Sequence, residues 1–207
     1  MLQYAPALCT DGTFSCPTKA SWTYFTLHGL WPERSDGTYP QTCSNQKYDP
    51  SAVSSILPRL EKFWVSLNGP SQTFWAHEYE KHGTCAEDVF PDQLAFMNGT
   101  LAIRDRFDLT PALAAAGIMP SATKGFSPAA LQAAATAAFG FPVLPSCDKE
   151  GNIDGVVVCV SKQGAAQSCG SVKYGSCAAN TLYLLPAEQA AARGGAAGGG
   201  DGVKAKQ

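Results

Sequence analysis

The stretch Trp22-Thr23-Tyr24-Phe25-Thr26-Leu27 is aromatic and β-branched and predicts a strand that delivers His28 to its C-terminal end, where the chain leaves the sheet at a turn. Between Ser51 and Val65, the residues Val53, Ile56, Leu57, Leu60, Phe63 and Trp64 recur at helical spacing after a Pro50-Ser51 start, with a kink expected at Pro58. Helical patterns return over 75–83, 91–107, 110–117 and 127–138, the last opening with Ser127 as N-cap and Pro128 in the first turn. Ile153 to Val160 and Leu182 to Leu185 are β-rich, and with Leu2 to Ala5 and the strand before His28 they predict an α+β fold, an antiparallel sheet flanked by helices. From Ala187 onward the Ala, Gln and Gly-rich sequence has almost nothing to bury, so residues 1–186 are expected to fold as one domain and 187–207 to form a disordered tail.

The 207 residues, 45% of them hydrophobic, suffice for one core. A net charge of −2 supplies no general basic field, so any nucleic acid must be gripped locally rather than through many phosphates. No apolar run is long enough to span a membrane as a helix. The eight cysteines are scattered without the close pairs of a zinc site, which points to disulfides and a secretory or endomembrane and vacuolar compartment. Met1-Leu2-Gln3-Tyr4-Ala5-Pro6 has neither the charged nor the apolar region of a leader, so a leader is expected to be missing from this sequence. Asn98-Gly99-Thr100 is a glycosylation sequon.

The chain has only three histidines, and all lie in two aromatic-rich segments, Phe25-Thr26-Leu27-His28-Gly29-Leu30-Trp31-Pro32 and Phe74-Trp75-Ala76-His77-Glu78-Tyr79-Glu80-Lys81-His82-Gly83-Thr84-Cys85. If the second is helical, Glu78 and His82 share a face, while His77 and Lys81 share another about 100° round. Such a cluster suits a reaction in which one imidazole removes a proton, another delivers one, and negative charge builds on a phosphoryl oxygen between them. Glu80 reads as a solvated surface carboxylate. The zinc motif H-E-x-x-H is not met, because His82 follows His77 by five residues and would lie about 140° away on a helix. A tripod completed by His28 is the remaining metal option, and no G-x-S-x-G elbow supports serine chemistry.

These two segments, in this order, resemble the signature segments of the ribonuclease T2 family, and a weaker likeness runs from about Leu2 to Cys177. The resemblance implies an acid-type endoribonuclease that cleaves single-stranded RNA without metal or cofactor, through a 2′,3′-cyclic phosphate to a 3′-phosphate. By position, His82 matches the general base, His28 the general acid, His77 the phosphate-binding histidine, and Glu78 with Lys81 the pair that steadies the phosphorane. The attack needs the 2′-OH, so DNA is not expected as a substrate. A monomer with no membrane partner is expected.

Trp31, Tyr39 and Phe74 match base-stacking positions of the family, Glu33 a carboxylate that reads the base edge, and Gln3 a second base site. Eight cysteines allow on the order of a hundred pairings. The resemblance implies Cys9–Cys16, Cys43–Cys85, Cys147–Cys177 and Cys159–Cys169, with both halves of a further plant bridge replaced, at Pro17 and Asn68. Tyr79 stands where tryptophan is common. Two alternatives stay open at this point: a catalytically silent member acting as a binding protein, and a recognition or defence determinant.

Overall fold

The computed structural model describes residues 1–5, 8, 23–170, 172 and 177–186. Cys9, Cys16, Pro17 and the tail from 187 lie outside them, so the pairing and the disorder expected there do as well. Two short strands, β1 (Leu2–Tyr4) and β2 (Thr26–Gly29), open the chain. Next come a 3-10 turn (Pro50–Ile56) and five helices, α1 (Leu57–Phe63), α2 (Ser71–Lys81), α3 (Gln93–Arg106), α4 (Leu109–Ala115) and α5 (Pro128–Phe139). Strands β3 (Leu144–Cys147) and β4 (Ile153–Val157) close an antiparallel sheet in the order β2-β1-β4-β3. The expected α+β architecture is observed. No helix among the described residues is long and apolar enough to cross a membrane.

Local rules explain several boundaries. Ser127 caps α5 by accepting from the Ala130 amide, with Pro128 in the first turn and left-handed Gly140 at the end. The segment over 51–65 is not one helix kinked at Pro58. A 3-10 turn hands over at Ile56, and Pro58 sits in the first turn of α1, where its missing N–H leaves no helical bond unmade. Leu182 to Leu185 does not form a strand; Leu182 and Tyr183 make isolated bridges to Phe126 and Asn152. The strand Leu144–Cys147, not expected from the sequence, pairs only with β4, and this edge position tolerates Pro145.

The core that fixes the site is made of buried indoles. Trp64 and Trp75 are both fully enclosed. The Trp75 Nε1–H donates to the Trp64 carbonyl at 2.7 Å, and the Trp64 Nε1–H donates to the His28 carbonyl at 2.6 Å. This relay ties α2, the end of α1 and β2 together through bonds that are costly to leave unmade in an apolar interior. Buried Arg104 of α3 extends it, donating to the Phe25 carbonyl at 3.1 Å while paired with Asp108 at 2.9 Å. Tyr79 packs on Phe96 and donates its hydroxyl to Gln46 at 2.5 Å, which satisfies the polar end of a ring otherwise in the core.

Candidate functional site

His28 owes its orientation to an irregularity of the sheet. Gln3 pairs with Leu27 and Leu2 with Gly29, so β2 carries one extra residue, His28, between two successive pairs. Bulges of this kind re-aim a side chain, and here the half-buried imidazole turns towards α2. Its Nε2 lies 3.5 Å from Glu78 Oε1, its Nδ1 is hydrogen-bonded to the Tyr4 hydroxyl, and Phe74 and Trp31 pack on the ring with centroids 5.6 and 4.7 Å away.

Helix α2 supplies the rest. Glu78 and His82 are buried on its inner side, His77 is exposed, and Lys81 is half-buried, as expected for residues on adjacent faces. The Glu78 carboxylate is shared: Oε1 faces His28 and Oε2 accepts the Trp31 Nε1–H at 2.8 Å. Burial by itself would raise its pKa, but the hydrogen bond and charge of His28, the charge of His82 and the Trp31 N–H together hold it below the ordinary carboxylate value. Trp31 also packs against His82, with centroids 5.2 Å apart, so both imidazoles lie beside one indole and one carboxylate. His82 is pushed down to about 4, chiefly by burial and further by the Lys81, His77 and His28 charges, against the pull of Glu78.

His82 is not inside the helix. It is the C-cap, and the chain then tightens into a 3-10 turn, Gly83–Cys85. The angle round the helix does not keep His82 from His77: the two rings come within 6.4 Å, and donor atoms of His77, Glu78 and His82 lie within 4.8 Å of one another. Donors of a tetrahedral zinc site with bonds near 2.1 Å stand about 3.4 Å apart, so this trio is looser than such a site.

A loop closes the other side. Gly37, at φ 80°, lets the Asp36-Gly37-Thr38 turn form, and it leads to Tyr39, 61% exposed. Thr42 N–H then donates to the Lys81 carbonyl at 2.8 Å, Cys43 N–H donates to Thr84 Oγ1 at 3.1 Å, and Cys43 is bridged to Cys85. The end of α2 is thereby satisfied by the loop that follows β2. Between them lies an open pocket of about 400 Å³ lined by Gln41, Thr42, His77, Glu80 and Lys81. Glu80 is not merely solvated: it accepts from Lys47 Nζ at 2.7 Å and from the Tyr48 amide at 3.2 Å. Cys147–Cys177 and Cys159–Cys169 are bridged far from this cluster in sequence.

Of the residues singled out from the sequence, His28, Trp31, Phe74, His77, Glu78, Lys81 and His82 are brought together. Glu33 and Tyr39 are exposed on the loop, with the Glu33 carboxyl raised by partial desolvation. Gln3 is not among them. Alternation along β1 turns it to the face opposite Tyr4, where it is fully buried and its amide N–H donates to the Phe107 carbonyl at 2.7 Å. Sequence reasoning missed Tyr4, Gly29 and Trp64. For Gly29 the signal existed, since a lone glycine in a strand marks a bulge or a close approach.

The Ribonuclease T2 family model matches residues 1–169. The chain belongs to the ribonuclease T2 family. It is 36% identical over 168 residues to Extracellular ribonuclease LE of Solanum lycopersicum, covering 73% of each chain. With Ribonuclease DdI of Dictyostelium discoideum it shares 33% over 183 residues, 87% of this chain and 81% of that one. Among solved structures it is similar to RNase NT in complex with 5′-AMP, at TM-score 0.80 and 29% identity over 89% of this chain and 96% of that one.

Proposed function

We propose that this chain is a secreted endoribonuclease that cleaves single-stranded RNA by transphosphorylation, without a metal ion, leaving a 2′,3′-cyclic phosphate that it hydrolyses more slowly to a 3′-phosphate. The observation that carries this reading is the pair of imidazoles, His28 and His82, set beside one indole and sharing one carboxylate.

His82, neutral above about pH 4, takes the proton from the ribose 2′-OH. The 2′-oxygen attacks phosphorus, and His28 gives its Nε2 proton to the departing 5′-oxygen. Glu78 stabilises the imidazolium forms that arise on either side of it. Lys81 and His77, at the rim, supply positive charge and donors to the phosphoryl oxygens as negative charge builds. Trp31, Phe74 and Tyr39 offer rings for base stacking, a sequence-tolerant contact, and Glu33 offers a carboxylate for a base edge. Gln3, enclosed in the core, has no part in this reading.

Two outcomes are expected. Oxidised protein incubated in chelator with a short RNA and its 2′-deoxy analogue cuts only the RNA and yields cyclic phosphate termini; cleavage of the deoxy strand, or loss of activity to the chelator, contradicts the mechanism. The acid limb of kcat/KM falls near pH 4, because protonation of His82 below that value removes the base. A limb that stays near pH 6.5 in a correctly folded enzyme would mean that the base is another group. The enzyme is expected to act as a monomer, outside the cell or in a vacuolar compartment.

A further inference from the structure

We propose that Tyr4 is a positioning residue for His28: its phenol oxygen accepts the Nδ1–H, so that the ring presents Nε2 to the Glu78 side and exchanges protons through that atom alone. The inference rests on the catalytic role proposed for His28 and adds a residue to it.

The geometry is specific. Tyr4 pairs with Thr26 across the β1–β2 ladder, which makes His28, two residues further along β2, its diagonal neighbour on the same face. The two rings lie 4.5 Å apart at 35°, and the hydroxyl meets Nδ1. On the other side of the imidazole, Nε2 faces Glu78 of α2. Phe74 and Trp31 contact the ring through their aromatic faces and edges, and Trp64 holds only the backbone carbonyl. Glu78 is the carboxylate in contact with His28, and Glu78 also senses the charge of His82. One nitrogen thus has a neutral hydroxyl partner, and the other faces the charged cluster.

The proton inventory selects the direction of the Tyr4 bond. Before cleavage both nitrogens carry a proton. Transfer of the Nε2 proton to the departing 5′-oxygen leaves a neutral ring protonated at Nδ1, and that N–H keeps donating to the phenol oxygen. In the hydrolytic half, Nε2 recovers a proton from the attacking water and the cycle closes. A neutral imidazole free in water favours the other tautomer, with the proton on Nε2. Tyr4 opposes that preference, as the hydrogen bond at one nitrogen generally sets the state of the other.

The test uses ¹⁵N-histidine NMR on the whole protein without RNA, which is tractable because there are three histidines. In its neutral form, His28 of the native protein is expected as the Nδ1–H tautomer. Tyr4→Phe, which keeps the ring stack, is expected to shift it to Nε2–H and to lower kcat about tenfold with KM unchanged, the loss typical of one hydrogen bond to a charged group. A native His28 already in the Nε2–H form overturns the proposal, and this measurement needs no variant. A Tyr4→Phe protein that loses activity with no tautomer change also overturns it, because the loss would then be structural. Failure of the underlying reading looks different: His28→Ala would cleave RNA normally whatever the NMR shows.

Discussion

His28→Ala and His82→Ala are each expected to lower kcat/KM on RNA by roughly 10²–10⁴-fold, the usual contribution of a general acid or base. The two should separate when the leaving group changes. A nucleoside 3′-(p-nitrophenyl phosphate) expels a stable phenolate that needs no protonation, so His28→Ala should approach the native rate on it. His82→Ala should remain crippled, because the 2′-OH still has to lose its proton. On RNA the double variant should fall by less than the product of the single losses, since both groups serve one transition state. If His82→Ala were the variant restored by the aryl ester, the base and acid would have to be exchanged. If neither single variant lost activity, the pairing of these rings across a phosphodiester would be wrong.

The parts of this site that were legible in the sequence are those governed by local periodicity or by a distinctive segment. Four-residue spacing put Glu78 with His82, and both are buried, Glu78 on α2 and His82 at its C-cap. Ser127-Pro128 announced the start of α5 because capping is decided within one turn. The same local reasoning failed for His77 and His82. About 140° separates the directions in which the two leave the helix, but an angle is not a distance. His82 still bonds its amide to the Glu78 carbonyl as a helical residue does, and the two rings nevertheless come within 6.4 Å.

Long-range packing explains the remaining differences. The pleat that puts Tyr4 beside His28 also puts Gln3 into the core, and which face is which depends on how β1 sits between β2 and β4. The bulge at His28 is a property of two strands paired across the chain that runs from Ala5 to Phe25, invisible in either alone. Trp64 looked like one more apolar residue of a helix. Its indole N–H on the His28 carbonyl is what fixes the strand end, and no periodicity reports a hydrogen bond of that reach.

Gly29→Ala is expected to damage stability and activity together, although it adds one methyl group. A Cβ at position 29 would lie 2.0 Å from Glu78 Oε2 and 2.8 Å from Trp31 Nε1, inside the hydrogen bond that joins those two atoms. The collision cannot be relieved cheaply. Gly29 is held in the ladder opposite Leu2, and Glu78 is buried on a helix anchored by Trp75 and by the Cys43–Cys85 bridge. If the carboxylate swings away it leaves both the Trp31 N–H and His28, and an ionised group stripped of its partners in the interior costs about 3–5 kcal/mol. In a chain of this size that corresponds to a fall in Tm of very roughly 6–20 °C. Glu78→Asp, one methylene shorter, withdraws the colliding oxygen and should recover part of the stability in the Gly29→Ala background but not the activity, because the carboxylate then sits too far from His28. A double-mutant cycle in Tm and kcat/KM measures this coupling directly. A Gly29→Ala protein that melts and cleaves like the native one would show that the close approach of Glu78 to the β2 backbone is not what holds the carboxylate between the two imidazoles.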